Sequence, residues 1–189
     1  LCHAIKKSEK VEKIYCMPGN AGTYEIAINV NLDINNFEQL KHFIVKNNID
    51  IVIIGPEKPL VEGIVDYLET NKIKVFGPDK YASRLEGSKA FMKSLCKQYQ
   101  IPTAGFKVCK NKKDIKVFLD HHKMPIVVKA DGLASGKGVV ICQTKKQVEK
   151  FSNEIFLGKF KSSKKLILEE FLDGEEASYF LIVDKKKFL

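Results

Sequence analysis

The chain has 189 residues, 44% of them hydrophobic, which is room for one large domain or two small ones with enough core to fold unaided. A net charge of +9 raises nucleic-acid binding, but 31 lysines stand against one arginine, Arg84, and base readout and bidentate phosphate contacts favour arginine. Solvated surface lysine is the better reading, and no apolar run approaches a membrane span, so neither nucleic acid nor membrane is expected as a partner.

The first residues read as mid-helix and the chain stops at Phe188-Leu189 as a strand begins, so a piece of a longer protein is expected. Residues 12–17 read as strand, and 37–47 as an amphipathic helix with Phe37, Leu40, Phe43 and Ile44 on its apolar face. A short buried-type strand (50–54), a helix (60–70) and another strand (73–76) follow. Two strands end alike, at Gly55-Pro56-Glu57 and Gly77-Pro78-Asp79; the loop Gly19, Asn20, Ala21, Gly22, Thr23 follows another. Two βαβ crossovers of an open parallel sheet put such loops at the carboxyl ends of the strands, where ligands bind. A substrate crevice along that edge is expected.

A helix over 87–99 opens with Gly-Ser-Lys, and Ile101-Pro102-Thr103-Ala104 then breaks the pattern. Beyond it come strand 105–108, helix 112–121, strands 126–130 and 139–143, helix 145–157 and strand 164–171. This reads as a second, smaller α+β domain with a boundary near Thr103. Lys185-Lys186-Lys187 reads as a turn. Five cysteines (Cys2, Cys16, Cys96, Cys109, Cys142) show no Cys-x-x-Cys and no histidine at ligand spacing, so buried free thiols in a reducing compartment are expected.

The stretch 126–141 carries the most chemistry. A β-branched run ends at Lys129, a turn follows with Gly132, Ser135, Gly136, Lys137 and Gly138, and a second β-branched run begins. The glycines expose backbone N–H groups and permit positive φ, which suits a loop closing over phosphate oxygens, and the lysines add point charges. It is no P-loop, because three residues rather than four separate Gly132 from Gly136, and Gly138 follows the lysine instead of Ser or Thr. A dinucleotide fingerprint would lead into a helix, whereas Val139-Val140-Ile141 reads as strand. The loop is expected to be a hairpin tip, a flap over an anion. Two acid pairs, Glu169-Glu170 and Glu175-Glu176, flank Phe171-Leu172-Asp173-Gly174. Such crowding is costly unless cations or hydroxyl donors meet it, so this reads as a linker for a nucleotide base and ribose.

Gly-Ser-Lys (87–89), Val-Val-Lys-Ala-Asp-Gly (127–132), the loop through Gly138 and Leu-Glu-Glu-Phe-Leu-Asp-Gly-Glu-Glu resemble an ATP-grasp enzyme. Met-Pro-Gly-Asn-Ala-Gly-Thr (17–23), Gly-Pro-Glu-Lys-Pro-Leu (55–60) and Leu-Glu-Gly-Ser-Lys-Ala-Phe (85–91) narrow the resemblance to the phosphoribosylamine–glycine ligases, in order along nearly the whole chain. The resemblance implies an α/β fold in three segments. Residues 1–103 would be a Rossmann-like, pre-ATP-grasp substrate domain with its connecting helix, 104–172 the small ATP-grasp lid domain, and 173–189 the start of the main ATP-grasp domain.

By position, Lys89 and Lys129 match lysines on ATP phosphates, Lys129 and Lys137 the catalytic charge-neutralising pair, and the loop from Gly132 to Gly138 the flap over the triphosphate. Glu169, Glu170, Phe171 and Leu172 match the hinge that meets adenine, mostly through backbone groups, and Glu176 the acid on the ribose. Gly19 to Thr23, with Pro56 and Glu57, match the edge that holds 5-phosphoribosylamine. The implied reaction joins glycine to 5-phosphoribosylamine through glycyl phosphate, giving glycinamide ribonucleotide, ADP and phosphate in the cytoplasm, with a monomer favoured. No side-chain nucleophile is needed. Ligands for Mg²⁺ or Mn²⁺, like the glycine site, are expected beyond Leu189, and the family's Gly-rich Arg-Glu-His turn before Leu1. Met17 and Lys58 depart from the family pattern beside matching residues. A different ATP-grasp ligase would share the Lys129 loop and hinge but lack the two loops of the first segment; a non-catalytic ATP-binding fragment is a further alternative.

Overall fold

Parallel strand pairs flanked by helices make up Leu1–Met92, the first of two units into which the chain divides; Lys93–Leu189 forms the second. The computed structural model describes every residue except Ser135, residues 161–163, residues 185–186 and Leu189. In the first unit, α1 (Cys2–Ile5) leads to β1 (Tyr15–Cys16), a 3₁₀ turn (Ala21–Thr23) and β2 (Ile28–Asn29). Then come α2 (Phe37–Lys46), β3 (Val52–Ile53), α3 (Glu57–Glu62), α4 (Ile64–Thr70), β4 (Val75–Phe76) and α5 (Arg84–Gly87). Strand β1 pairs parallel with β2, and β3 with β4.

The helical period decides what this unit buries. Leu40 and Ile44 of α2 meet Leu60 of α3 and Ile64, Val65 and Leu68 of α4, with Met17, Val52, Ile54 and Val75 packed against them. Asn36 caps α2 by accepting from the Gln39 N–H at 3.1 Å, a contact worth about 1 kcal/mol. The helix expected over 60–70 is two helices, because Gly63 adopts a left-handed conformation (φ 97°) between them.

Helix α6 (Lys89–Gln98) leads into the second unit, with the Ser88 hydroxyl accepting from the Phe91 N–H at 3.2 Å at its start. There β5 (Phe106–Cys109), α7 (Lys112–His121), β6 (Ile126–Ala130), β7 (Val139–Cys142), α8 (Lys145–Phe156) and β8 (Leu166–Glu170) follow. The four strands form an antiparallel sheet in the order β5-β8-β6-β7. One face carries the core: Ile126, Val128 and Ala130 of β6 and Leu166 and Leu168 of β8 pack with Ile115, Phe118 and Leu119 of α7 and Val148, Phe151 and Ile155 of α8. Strand alternation leaves Val127 and Lys129 on the opposite face. Near the end, β9 (Val183–Asp184) and β10 (Lys187–Phe188) pair antiparallel. Of the turn expected at Lys185-Lys186-Lys187, residues 185–186 lie outside the described residues, and Lys187 stands in β10 rather than in a turn.

All five cysteines are free. Cys109 and Cys142 are fully buried, and burial pushes the Cys109 thiol up to about 12. Cys2, Cys16 and Cys96 are only half-buried, which corrects the expectation of general burial. Among the described residues no group of three His, Cys, Asp or Glu side chains is placed to hold a metal, and no helix is long and apolar enough to cross a membrane.

Candidate functional site

In the first unit the loop after β1 is closed on itself. Asn20 Oδ1 accepts from the Thr23 N–H at 3.1 Å while the Thr23 hydroxyl accepts from the Asn20 N–H at 2.8 Å. That hydroxyl also reaches Asn29 Oδ1 at 2.7 Å, and Asn29 Nδ2 donates to the Asn20 carbonyl at 2.9 Å. Asn29 lies on β2, a strand that the sequence reading passed over. Gly19 turns the chain at φ 79°, where a β carbon would sit 2.2 Å from Asn29 Oδ1. Gly19→Ala therefore meets both an unfavourable φ and a displaced Asn29, and should destabilise the protein by roughly 1–3 kcal/mol. A urea midpoint equal to wild type would contradict this. Ala21 and Gly22 are exposed along the same turn. Pro56 precedes the first residue of α3, and Glu57, exposed in its first turn, complements the helix dipole. Each of these loops follows the carboxyl end of a parallel strand, as expected from sequence.

The second unit brings charge together on the face of its sheet opposite the core. The β6–β8 register sets Lys129 opposite Ile167 and Val127 opposite Glu169, so Lys129 and Glu169 are diagonal neighbours on one face. Lys129 Nζ donates to Glu169 Oε2 at 2.8 Å. From α6, Lys93 Nζ approaches the same oxygen at 3.1 Å, donates to the Thr103 hydroxyl at 2.6 Å and lies 5.7 Å from the Phe106 ring centroid. The side chains of Lys93 and Glu169 are 4% and 5% exposed, that of Lys129 27%. Two cations thus share one carboxylate, a net charge of +1 that only Lys129 presents outward.

Glu169 Oε1 is buried with no hydrogen-bond partner among the described residues. An unsatisfied buried carboxylate oxygen costs more than the roughly 1–3 kcal/mol typical of a neutral group, and an N–H or O–H donor could relieve that cost.

Above this pair, β6 and β7 pair antiparallel up to Lys129 and Val139, which makes the intervening loop the expected hairpin tip. The Ala130 N–H donates to the Gly138 carbonyl at 2.7 Å, and the Lys137 N–H to the Ala134 carbonyl at 2.9 Å. Gly132 and Gly138 are buried at the loop's root, whereas Gly136 (φ 75°) and Lys137 are exposed at its tip. Ser135 lies outside the described residues.

At the other end of β8, the Glu170 carboxylate accepts from the Gly105 N–H at 2.7 Å, and the Glu170 N–H donates to the Gly105 carbonyl at 2.9 Å. Phe171 and Leu172 continue beyond it, 39% and 64% exposed. Glu176 is exposed and makes no hydrogen bond or ion pair among the described residues. Lys89 opens α6, half-buried, in the first unit. The structure therefore gathers Lys129, Glu169 and the loop root, leaves Glu176 apart, and adds Lys93 and Thr103. Lys93 stands one helical turn after Lys89, and that i, i+4 spacing is the signal by which sequence could have found it.

The phosphoribosylglycinamide synthetase N domain matches residues 1–86, and the phosphoribosylglycinamide synthetase ATP-grasp (A) domain matches residues 87–189. A phosphoribosylamine–glycine ligase of Caldanaerobacter subterraneus subsp. tengcongensis is 44% identical over 193 residues, all of this chain and 46% of that protein. The chloroplastic ligase of Arabidopsis thaliana is 41% identical over 97% of this chain and 36% of its own length. The crystal structure of the Thermotoga maritima ligase superposes with a TM-score of 0.78 at 28% identity, over 99% of this chain and 44% of that one. An N5-carboxyaminoimidazole ribonucleotide synthetase in its ADP complex reaches 0.68 at 16% identity over 90% of this chain and 44% of that one, a likeness of fold alone. The chain spans less than half the length of these relatives. Matched in order from end to end by both domains, it belongs to the phosphoribosylglycinamide synthetase family.

Proposed function

We propose that the longer protein carrying this chain joins glycine to 5-phosphoribosylamine at the expense of ATP, giving glycinamide ribonucleotide, ADP and phosphate. The observation that carries this reading is the Lys129–Glu169 pair: a cation fixed on a strand, beside a buried carboxylate with an unmet acceptor, at the root of a glycine loop. In this reading the free N–H groups of Lys129 meet phosphate oxygens, and Glu169 Oε1 accepts from the exocyclic amine of adenine. The Glu170 side chain and N–H are already engaged by Gly105, so Glu170 serves through its carbonyl, with Phe171 and Leu172 along the base. Gly132, Ser135, Gly136, Lys137 and Gly138 close over the triphosphate, Lys89 adds a further cation, and Glu176 takes the ribose hydroxyls. Gly19, Asn20, Ala21, Gly22, Thr23, Pro56 and Glu57 hold phosphoribosylamine. The functional segments are then 1–103, 104–172 and 173–189.

The chemistry asks for position and charge rather than a protein nucleophile. A glycine carboxylate oxygen attacks the γ-phosphorus and ADP leaves; the sugar amine attacks the acyl carbon, phosphate leaves and the amine gives up a proton. Lys129 and Lys137 neutralise charge as it moves, and the closed loop keeps water from the acyl phosphate. A divalent cation, Mg²⁺ or Mn²⁺, would spread charge on the triphosphate from ligands outside this chain. The parent protein works on small molecules, as a monomer in the cytoplasm. ADP release by the full-length protein tests the reading: it should require glycine and phosphoribosylamine together. Release supported instead by bicarbonate or D-alanine would assign a different ligase.

Glu176 is the site residue that the structure leaves apart from the cluster, so its role depends on nucleotide drawing it in. Glu176→Ala should cut the preference for ATP over 2′-deoxy-ATP roughly tenfold, the loss of about one hydrogen bond to a charged group. A preference unchanged by the mutation, in competitive binding, would make Glu176 a rim charge.

A further inference from the structure

The buried lysine behind the pair has no role in the chemistry above. We propose that Lys93 is a positioning residue whose charge keeps Lys129 available to an anion; this rests on the nucleotide reading of the site. Lys93 cannot touch a ligand itself, since its side chain is 4% exposed and its ammonium is taken up by Glu169 and Thr103. Keeping an ammonium out of water is costly. A lone Lys129–Glu169 pair would already be complete as an ion pair, so the extra buried cation needs another account.

The shared oxygen supplies one. Both lysines bond Glu169 Oε2, so a single negative charge is divided between two positive ones. Remove Lys93, and Glu169 neutralises Lys129 alone: an incoming phosphate then meets half of a closed, neutral pair. With Lys93 present the three residues carry +1, and the ammonium that faces outward is Lys129, 27% exposed. The effect is electrostatic and scales with ligand charge. Phosphates should feel it strongly, the base and ribose hardly at all.

That scaling separates charge supply from mere packing. In the full-length protein, calorimetry with ATP and with uncharged adenosine should show Lys93→Met losing about tenfold or more in ATP affinity, given an effective dielectric of about 20. Adenosine affinity should stay within about twofold, and Lys93→Arg should keep most of the ATP affinity. Equal losses for both ligands would mean that Lys93 only supports the fold, and no loss for either that its charge is idle; each result overturns the proposal. Should Lys93→Met fail to fold, the double variant Lys93→Met/Glu169→Gln leaves no unpaired buried charge and restores +1 on Lys129. It should recover the wild-type ratio of ATP to adenosine affinity, and a ratio still reduced about tenfold would refute the proposal. Wild-type protein that bound no ATP would instead strike the nucleotide reading itself, and the proposal with it.

Discussion

In the full-length protein, Lys129→Ala should lower ATP affinity by roughly 10- to 100-fold, the scale of one or two lost charge-assisted hydrogen bonds. Turnover should fall further, by about 100-fold or more, because the charge that Lys129 meets grows as the γ-phosphoryl group transfers. The fold should survive. Glu169 keeps Lys93 as a partner 3.1 Å away, so no buried charge is left alone, and the core faces of β6 and β8 are untouched. Calorimetry beside a thermal melt checks this: a stable variant with wild-type ATP affinity would remove Lys129 from the site.

The second large effect is expected at the root of the loop rather than its tip. A β carbon on Gly138 would lie 2.6 Å from Ala134 Cβ and 3.4 Å from Ala130 Cβ, in a buried spot. Gly138→Ala should cost about 1–3 kcal/mol as overpacking. It should also shift the 2.7 Å bond from the Ala130 N–H to the Gly138 carbonyl, which sets the direction of the loop directly after Lys129. Turnover should fall by at least about tenfold, since misplacing a site by an ångström is enough for that. Gly136→Ala is the control: its β carbon meets open space, leaving only the strain of φ 75°, about 1 kcal/mol. Urea unfolding and steady-state turnover on the two variants should rank them in this order, and Gly138→Ala matching wild type in both would show that the root yields freely.

What could be read from sequence was local. The β-branched runs on either side of Gly132 and Gly138 announce a hairpin, and β6 and β7 form it with Lys129 at its mouth. Alternation along Ile126-Val127-Val128-Lys129-Ala130 tells that Lys129 points away from Ile126 and Val128. The partner of Lys129 depends instead on strand order. Glu169 lies 40 residues away and meets it only because β8 sits beside β6, so a residue read mainly as a backbone hinge has a side chain at the centre of the cluster. Lys93 escaped for a related reason: beyond its i, i+4 spacing from Lys89, nothing sets it apart among 31 lysines until its burial is known. In the first unit, β2 is two residues long and its Asn29 closes the loop through Asn20 by hydrogen bonds that no periodicity shows. Gly63 divides a helix whose apolar spacing runs straight through it.

In the proposed function, nucleotide lies over the Lys129–Glu169 face of the second unit's sheet, between the glycine loop and the end of β8. Hydrogen exchange of the full-length protein with and without Mg-ATP tests it most directly. In the free protein the tip at Gly136 and Lys137 is exposed and should exchange quickly. Nucleotide should slow the amides from Gly132 to Gly138 and those of Phe171 and Leu172 by roughly tenfold or more, as both segments close on it. Unchanged exchange in both segments under saturating ATP, with protection elsewhere in the protein, would contradict the account.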